Sequence, residues 1–311
     1  FMQHPVGYAI ENGRAVMNDF GALLSNPYVW TQFPHTVLSG FSTGAFFVLG
    51  ISAYHLIRRR DTDFFRRSFL IAAIFGILSI FLVILVGHSQ AQRMVIDQPM
   101  KMAAAEALWE SENPASFSLF TIGNEAELKD RWSIRIPYLL SVLAYDRPTG
   151  EVKGIRNLQA EYEQQYGPGY YAPSIFTMYW TFRIMVGMGF LMLLLGFLAL
   201  YPFLRSRPVT RFRYIQFFPL AIALPYLANS SGWLFTEMGR QPWVVYGLMK
   251  TQDAFSANLT PGMVLTTLVG FTLIYALLMA ADVYLLAKYA RGGPENESQP
   301  AVEASEEVAL V

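Results

Sequence analysis

Five long apolar segments constrain this chain more than any other feature. The clearest covers residues 68–87 and contains no charged side chain. A helix needs about 20 mostly apolar residues to cross the hydrocarbon core of a bilayer. The chain is 53% hydrophobic and only 15% charged, which is typical of a polytopic membrane protein. We therefore predict an all-α transmembrane helix bundle. The other four predicted spans are 34–57, 175–203, 214–237 and 262–288.

The fourth predicted span is the least regular of the five. Pro219, Pro225 and the polar residues 229–231 interrupt segment 214–237. Breaks in a membrane helix persist only where neighbouring protein satisfies the freed backbone groups. We therefore expect this span to be a broken helix surrounded by other helices.

Basic connectors predict the orientation of the bundle. Segment 58–67 carries five arginines, segment 205–213 carries four, and Lys288 and Arg291 follow the last span. Connectors that are rich in Lys and Arg remain in the cytoplasm. The chain then divides into an outer loop, two spans, a long outer loop, three spans and a polar acidic tail that we expect to be disordered and cytoplasmic. These parts are 1–33, 34–87, 88–174, 175–290 and 291–311.

Composition excludes several classes of function. The chain has no cysteine, which excludes disulfides, thiolate metal sites and iron–sulfur clusters. Its formal net charge is zero, so it is no candidate for binding nucleic acid through bulk charge. Any cofactor is therefore held by histidine, methionine, carboxylates or packing. Because the first residue is Phe1 rather than methionine, we expect a fragment that begins within a longer protein.

The unusual polar residues gather in the outer half of the predicted bundle. His35 opens the first span, and Glu237 and Arg240 close the fourth. Arg183 and Met185 lie ~12–15 Å inside the third span, given ~1.5 Å of rise per residue. A histidine and a methionine from different helices are the ligands of a six-coordinate electron-transfer haem. An interfacial histidine and a core methionine are the alternative interpretations.

Two charged groups in this set need partners. An arginine within a span is costly and usually faces a partner or a polar cavity. No acid lies within one turn of Arg183, so we expect its partner to come from elsewhere, such as a cofactor carboxylate. Glu237 and Arg240 share one helical face, and a simple local ion pair is the alternative to a functional role. We interpret the remaining histidines as a surface residue (His55) and two loop residues without an evident partner (His4 and His88).

The long loop contains a predicted helix. Residues 101–110 are strong helix formers. Lys101 and Glu106 do not share one face of a straight helix, whereas Glu106 and Glu110 do. The segment is either a solvated surface helix or a quinol site, in which a carboxylate accepts the hydroxyl proton and a lysine steadies the ring oxygen. The later segment 159–174 is polar and rich in tyrosine, which favours a mobile cover at the membrane interface.

Several motifs together resemble subunit I of the cytochrome bd quinol oxidases. The resemblance runs in order from residue 1 to about residue 290, and its 179–190 and 232–243 blocks are highly specific. The long loop resembles the short form of the family, because no long insertion precedes the third span. The matching motifs are "FMQHPVG" (1–7), "QFPHTVLSGFSTGAFFVLGISAYHL" (32–56), "KMAAAEALWE" (101–110), "YWTFRIMVGMGF" (179–190) and "GWLFTEMGRQPW" (232–243).

The resemblance implies a role for each candidate residue. His35 and Met185 would be the axial ligands of the low-spin haem b558, and Arg183 would lie beside that haem. Glu237 would be the axial ligand of the high-spin haem b595. Two side chains would pack close to that second haem, namely Arg240 and Trp233.

The resemblance also implies a wider assembly in a prokaryotic plasma membrane. Lys101 and Glu106 would belong to the quinol-binding loop. The family has nine helices, of which the last five match this chain, so the histidine that ligates haem d would be missing and the fragment alone would be inactive. His4 matches no haem-d motif. Expected partners are subunit II, quinol, oxygen and membrane lipid, with a small accessory subunit as a further candidate.

The implied activity is oxidation of quinol at the outer face, with electrons passing through b-type haems to haem d, where oxygen is reduced to water. Two other functions compete with it. A transporter would fit Arg183 and the broken span, but transporters usually show paired repeats with sites near the midplane. The sequence shows no internal repeat. A haem-free membrane scaffold that keeps the same helices is the second alternative.

Overall fold

The computed structural model describes residues 1–60, 62–256 and 258–293. The expected disordered tail, 291–311, falls outside these residues from position 294 onward. The described chain is mainly helical, as the sequence predicts. Its α-helices are α1 (Phe20–Leu24), α2 (Pro27–Ile57), α3 (Thr62–Asp97), α4 (Pro99–Glu106), α5 (Leu139–Tyr145), α6 (Ile155–Tyr166), α7 (Ile175–Leu204), α8 (Phe218–Ala221), α9 (Ala223–Met238) and α10 (Pro261–Gly292).

Four helical segments are long and apolar enough to cross a membrane. They contain four of the five predicted spans, and α7 ends within one residue of its prediction. Two of them extend well beyond the apolar run, because α2 already begins at Pro27 and α3 continues to Asp97. The apolar pattern marks only the part that suits a bilayer interior, whereas the helices continue into polar sequence. The segments are Phe20–Ile57, Thr62–Asp97, Ile175–Leu204 and Pro261–Gly292.

The fifth predicted span, 214–237, is not one long helix. It consists of a 3-10 turn followed by α8 and α9, which are separated at Ile222. Proline has no backbone N–H, so Pro225 leaves the carbonyl of Ala221 without its helical donor, and α8 ends at that residue. Both short helices pack against the long helices of the bundle, α8 against α2 and α9 chiefly against α7. The break is therefore packed against other helices on one side, whereas its other face is exposed at Leu220 and Tyr226, so the expected enclosure by helices is only partial.

One end of the bundle collects the basic connectors, and we call it the basic end. The start of α3 and the end of α7 meet there, since the guanidinium of Arg66 lies 5.4 Å from the ring of Phe203. The end of α10 joins them, because Nε2 of His55 lies 2.7 Å from the carbonyl oxygen of Ala290. His55 is fully buried and stacks on Phe65, so its interpretation as a surface residue is wrong. The C-terminal end of α10 covers the ring of His55.

The long connection between α3 and α7 lies at the opposite end, which we call the loop end. Most of the buried apolar side chains of the largest core cluster belong to it or pack against it. It contains an antiparallel hairpin of β3 (Phe117–Asn124) and β4 (Lys129–Ile136), which the sequence analysis did not predict. Two smaller hairpins pair β1 (Tyr8–Glu11) with β2 (Arg14–Met17) and β5 (Trp243–Val245) with β6 (Met249–Lys250).

The predicted mobile cover, 159–174, is packed rather than loose. Its first half belongs to α6, and the side chain of Tyr171 is only 1% exposed. The ring of Trp243 lies 4.8 Å from that of Tyr166 and 5.8 Å from that of Tyr171. These aromatic rings pack against the segment that follows α9 and hold part of the predicted cover in place, and the mobility of the segment stays a prediction.

Candidate functional site

Helix α4 forms the centre of the candidate site. All seven residues from Met100 to Glu106 are buried, so the interpretation as a solvated surface helix is wrong. The helix ends at Glu106 because Ala107 adopts a left-handed conformation (φ 45°, ψ 47°). Glu110 is consequently not on the same helix. It is exposed and pairs with Arg156 at 2.9 Å, which corrects the prediction that Glu106 and Glu110 share a face.

Glu106 is the partner of the arginine in α7. Its Oε2 accepts hydrogen bonds from Nη2 of Arg183 at 2.8 Å and from the backbone N–H of Ser118 at 3.0 Å. Arg183 also donates to the carbonyl oxygen of Ser118. The sequence analysis correctly expected a partner from a distant part of the chain, but the carboxylate in this structure is a protein side chain. Loop, hairpin and α7 are thus joined by one buried ion pair.

Burial changes the proton affinity of this carboxyl group. The side chain of Glu106 is 1% exposed, and burial raises the pKa of Glu106 above its ordinary value. The Arg183 guanidinium and the Ser118 amide oppose that rise, but they do not cancel it. A carboxyl group with a raised pKa suits proton transfer near neutral pH.

Further polar groups hold the Glu106–Arg183 pair and the end of α4 in place. The hydroxyl of Ser118 lies 2.7 Å from that of Thr121 and 3.0 Å from that of Tyr179. Nη2 of Arg135 donates to the carbonyl oxygen of Ala107 at 2.7 Å, which satisfies one of the free carbonyls at the end of α4. The sequence analysis did not single these residues out, because two of the contacts join distant segments: Tyr179 is 61 residues from Ser118, and Ala107 is 28 residues from Arg135. In β4 the apolar residues Trp132, Ile134 and Ile136 alternate with polar ones, and this period-two pattern is a signal that could have revealed a strand.

Lys101 lies at the other end of α4 and faces a different helix. Its Nζ is 3.4 Å from the carbonyl oxygen of Thr236 and 5.1 Å from the ring centroid of Phe235. Burial, and next the nearby Arg240, lower the pKa of Lys101 to about 7, whereas Glu237 opposes the shift. Lys101 and Glu106 therefore do not meet. Helix α4 instead connects the end of α9 with the arginine of α7.

Glu237 and Arg240 form the predicted ion pair at the end of α9. Nη2 of Arg240 donates to Oε2 of Glu237 at 2.8 Å. Arg240 is buried, whereas the side chain of Glu237 is 39% exposed. Oε1 of Glu237 makes no hydrogen bond within the part of the chain that the structure describes. Trp233, one turn earlier on α9, is 65% exposed.

His35 and Met185 each face a glycine of a neighbouring helix. A Cβ atom on Gly87 of α3 would lie 3.1 Å from Cε1 of His35, and one on Gly232 of α9 would lie 2.8 Å from Sδ of Met185. Both glycines therefore make room for a ligand-type side chain. Nδ1 of His35 is buried and has no hydrogen-bond partner among the described residues.

These side chains suit a haem better than a bare metal ion. Within residues 1–60, 62–256 and 258–293 no group of three or more His, Asp or Glu side chains could hold an ion together. The chain instead offers an imidazole and a thioether, both of which can ligate haem iron, and a carboxylate on a third helix. Nε and Nη1 of Arg183 are also buried without a partner among those residues. They remain available for a carboxylate such as a haem propionate.

Two histidines have partners that the sequence analysis did not find. Nε2 of His88 lies 3.1 Å from Oδ1 of Asp146, and Nδ1 of His4 lies 3.8 Å from Oδ1 of Asp97. Both predictions of a histidine without a partner are therefore wrong. Asp146 follows α5, and Asp97 is the last residue of α3. The sequence could not predict either pair, because the partners are far apart along the chain.

Comparison with known proteins gives a consistent result. A model of the family "Cytochrome bd terminal oxidase subunit I" matches residues 1–294. The chain is 44% identical over 306 residues to cytochrome bd ubiquinol oxidase subunit 1 of Bacillus subtilis, covering 98% of this chain and 65% of that protein. It is 32% identical to cytochrome bd-II ubiquinol oxidase subunit 1 of Escherichia coli, covering 94% of this chain and 68% of that protein.

A solved structure agrees with these sequences. The fold matches the bd oxidase from Geobacillus thermodenitrificans with a TM-score of 0.77 and 28% identity, covering 94% of this chain and 65% of that one. The chain thus spans about two thirds of the length of the relatives that it matches.

Proposed function

The chain belongs to the cytochrome bd terminal oxidase subunit I family, and on that basis we propose that it oxidises quinol beside α4 as part of an assembled membrane quinol:oxygen oxidoreductase. The observation that carries this proposal is the buried pair of Glu106 and Arg183, 2.8 Å apart, at the end of a helix that also buries Lys101. Since the chain covers 65% of the first relative, reduction of oxygen to water is proposed for the whole oxidase and not for this chain alone.

The cofactors that we propose are haems. His35 and Met185 would hold the low-spin haem b558, with the two free nitrogens of Arg183 directed at a propionate. Glu237 would hold the high-spin haem b595 through the carboxylate oxygen that Arg240 does not engage. When bound, these haems supply one-electron transfer, and a thioether ligand raises the reduction potential. Haem d, subunit II and a small accessory subunit complete the proposed assembly.

The chain's own residues would handle the protons. Because burial raises the pKa of Glu106, its carboxyl group can accept a proton from a quinol hydroxyl near neutral pH. Arg183 holds that carboxyl in place from α7, and Arg135 fixes the end of α4. Lys101 would donate a hydrogen bond to the second ring oxygen from the other end of the helix.

We propose that the basic end faces the cytoplasm, in accordance with the positive-inside rule. The loop end, with α4, then lies at the outer face of a prokaryotic plasma membrane. Protons from quinol would be released outside, whereas protons for water would be taken up from the cytoplasm. Charge is then separated across the membrane without a pump.

A pyridine haemochrome assay, together with quinol oxidation by the assembled oxidase, tests this proposal. We expect b-type haem in the preparation and a large loss of quinol oxidation in a Glu106→Gln variant that keeps its haem. Absence of b-type haem would instead support the haem-free scaffold or the transporter.

A further inference from the structure

A second polar cluster lies at the junction of α3 and α4, beside the proposed quinol site. It joins the end of α3, the start of α2 and the first residues of the chain. Four of its side-chain atoms are buried and have no hydrogen-bond partner among the described residues, out of nine such atoms in total. They are the hydroxyl of Tyr28, Nε of Arg93, Oδ2 of Asp97 and Oε1 of Gln98.

One side of this cluster connects to Lys101. Nε2 of Gln98, a fully buried residue, donates to the carbonyl oxygen and to Oε1 of Gln3, at 2.7 and 2.8 Å. Nε2 of Gln3 lies 3.4 Å from the carbonyl oxygen of Thr236. Lys101 donates to that same carbonyl oxygen, also at 3.4 Å. A continuous series of polar contacts therefore runs from Lys101 to Gln98.

The other side of the cluster reaches the surface. Asp97 follows Arg93 by one helical turn. Nη2 of Arg93 lies 3.0 Å from Oδ2 of Asp97, which makes an ion pair without the geometry of a hydrogen bond. Nδ1 of His4 lies 3.8 Å from Oδ1 of Asp97. The side chain of Asp97 is 8% exposed and that of His4 is 29% exposed, so His4 forms the outlet. Its ring stacks on Tyr28 at 5.9 Å.

The charged and titratable groups that surround Asp97 come from three parts of the chain. Arg93 lies on the same helix, His4 belongs to the N-terminal segment, and the ring of Tyr28 from α2 stacks on His4. The backbone N–H of Tyr246 donates to the carbonyl oxygen of Met2, which ties the same segment to the chain beyond α9. Among these groups Asp97 is the carboxylate, and it lies between the buried amides and the surface.

Unpartnered buried polar atoms in one place are the usual environment of ordered water. A buried water makes about three hydrogen bonds to otherwise unsatisfied polar groups, and buried polar atoms rarely remain without a partner. We propose that Asp97, His4, Tyr28 and the Gln3–Gln98 amide pair form a hydrated exit for protons released beside α4. This inference rests on the proposed function and names a separate site within it.

The proposed step balances. Oxidation of one quinol breaks two O–H bonds and gives quinone, two electrons and two protons. The two electrons would go one at a time to the proposed haems, which are the oxidant, and the protons would leave through water to Asp97 and then to His4 at the surface. The amide groups do not change their protonation, since they only hold the water in line.

The test compares two His–Asp pairs of the same chain in the assembled oxidase. Asp97→Asn removes the proposed relay, whereas Asp146→Asn removes the exposed pair with His88 and serves as the matched control. We expect Asp97→Asn to lower kcat for quinol oxidation by about ten-fold, less than the ~100-fold or more that loss of a general base costs, because Asp97 relays a proton and does not take it from quinol. KM and haem content should stay unchanged, and the solvent deuterium effect on kcat should increase. Asp97→Glu should restore much of the rate, and Asp146→Asn should behave as wild type.

A second measurement does not depend on turnover. An experimental map of the oxidase should show ordered water in contact with Tyr28, Asp97 and Gln98. A wild-type kcat and a wild-type solvent deuterium effect in Asp97→Asn would overturn the proposal. A map without ordered water at Tyr28, Asp97 and Gln98 would also overturn it. If Asp97→Asn fails to assemble, His4→Gln carries the same kinetic test. If Glu106→Gln abolishes quinol oxidation but Asp97→Asn and His4→Gln oxidise quinol at the wild-type rate, the proposed proton exit is wrong and the proposed function still stands.

Discussion

Arg183 of α7 and Glu106 of α4 are 77 positions apart in the sequence, yet Nη2 of the first lies 2.8 Å from Oε2 of the second. Both atoms are removed from solvent, since the side chains are 14% and 1% exposed. The pair is the one ion pair between α4 and a membrane-spanning helix in the described part of the chain. It fixes the proposed proton acceptor relative to the helix that carries the proposed haem ligand Met185.

Replacing Glu106 with glutamine should therefore severely reduce the rate of quinol oxidation. The variant keeps the shape of the side chain but leaves the charge of Arg183 buried without its partner, which costs about 3–5 kcal/mol. We expect quinol oxidation to fall by at least ~100-fold, the lower range for a lost general base, with haem content retained. Glu110→Gln is the control, because Glu110 forms an exposed pair with Arg156 and such pairs contribute at most about 1 kcal/mol. Equal activities of the two variants would contradict this role of Glu106.

Lys101 should give the reaction a pH dependence near neutrality. Its pKa is lowered to about 7, so the ammonium form that donates the stronger hydrogen bond is lost as pH rises through that value. We expect KM for quinol to increase across this transition. Lys101→Arg should remove the transition, because a guanidinium stays charged. A KM profile that is unchanged in Lys101→Arg would show that another group titrates.

The same shift predicts an effect on stability. The pKa of Lys101 is lower in the folded chain than its ordinary value of 10.5, so burying the ammonium opposes folding fully at pH below about 7. This cost should decline as pH rises from about 7 towards 10.5. Lys101→Met, which has no charge to bury, should flatten the rise of thermal stability over that range. An identical slope in wild type and variant would contradict the shift.

Met185→Leu tests the proposed thioether ligand. Leucine fills a similar volume but cannot bind iron, so we expect the low-spin signal in the reduced spectrum to disappear or to convert to a high-spin one. Met192→Leu is the matched control, since Met192 is a buried core residue two turns further along α7. An unchanged low-spin band in Met185→Leu would refute the proposal that Met185 ligates the low-spin haem.

Trp243 should hold the loop end together. Its ring packs against Tyr166 and Tyr171, and removal of a buried aromatic side chain costs about 3–5 kcal/mol. We expect Trp243→Ala to make segment 159–174 much more sensitive to limited proteolysis. Trp132→Ala is the control, because Trp132 lies on the hairpin and is 51% exposed. Equal cleavage rates in both variants would contradict the packed arrangement.

The sequence predicts the features that depend on local patterns. The apolar runs locate the long helices, because bilayer thickness sets the length of the apolar run within each helix, and the prolines locate the break between α8 and α9. The Glu237–Arg240 pair follows from helical spacing alone. The resemblance to one oxidase family, carried by short motifs, is confirmed by the family match over residues 1–294.

The features that the sequence does not predict depend on contacts between distant segments. His55 is buried because α10 returns to cover it, and Glu106 meets Arg183 because α4 packs against α7. The tyrosines of 159–174 are polar enough to suggest a mobile loop, but Trp243 from beyond α9 packs against Tyr166 and the buried Tyr171. Hydrophobic periodicity contains no information about such partners.

The most direct test of the account is an experimental structure of the assembled oxidase with its haems bound. The account predicts that the imidazole of His35 and the thioether of Met185 coordinate the same iron from opposite faces of one porphyrin, with Arg183 at a propionate. A map in which these two side chains bind different irons, or in which either one binds none, would contradict it.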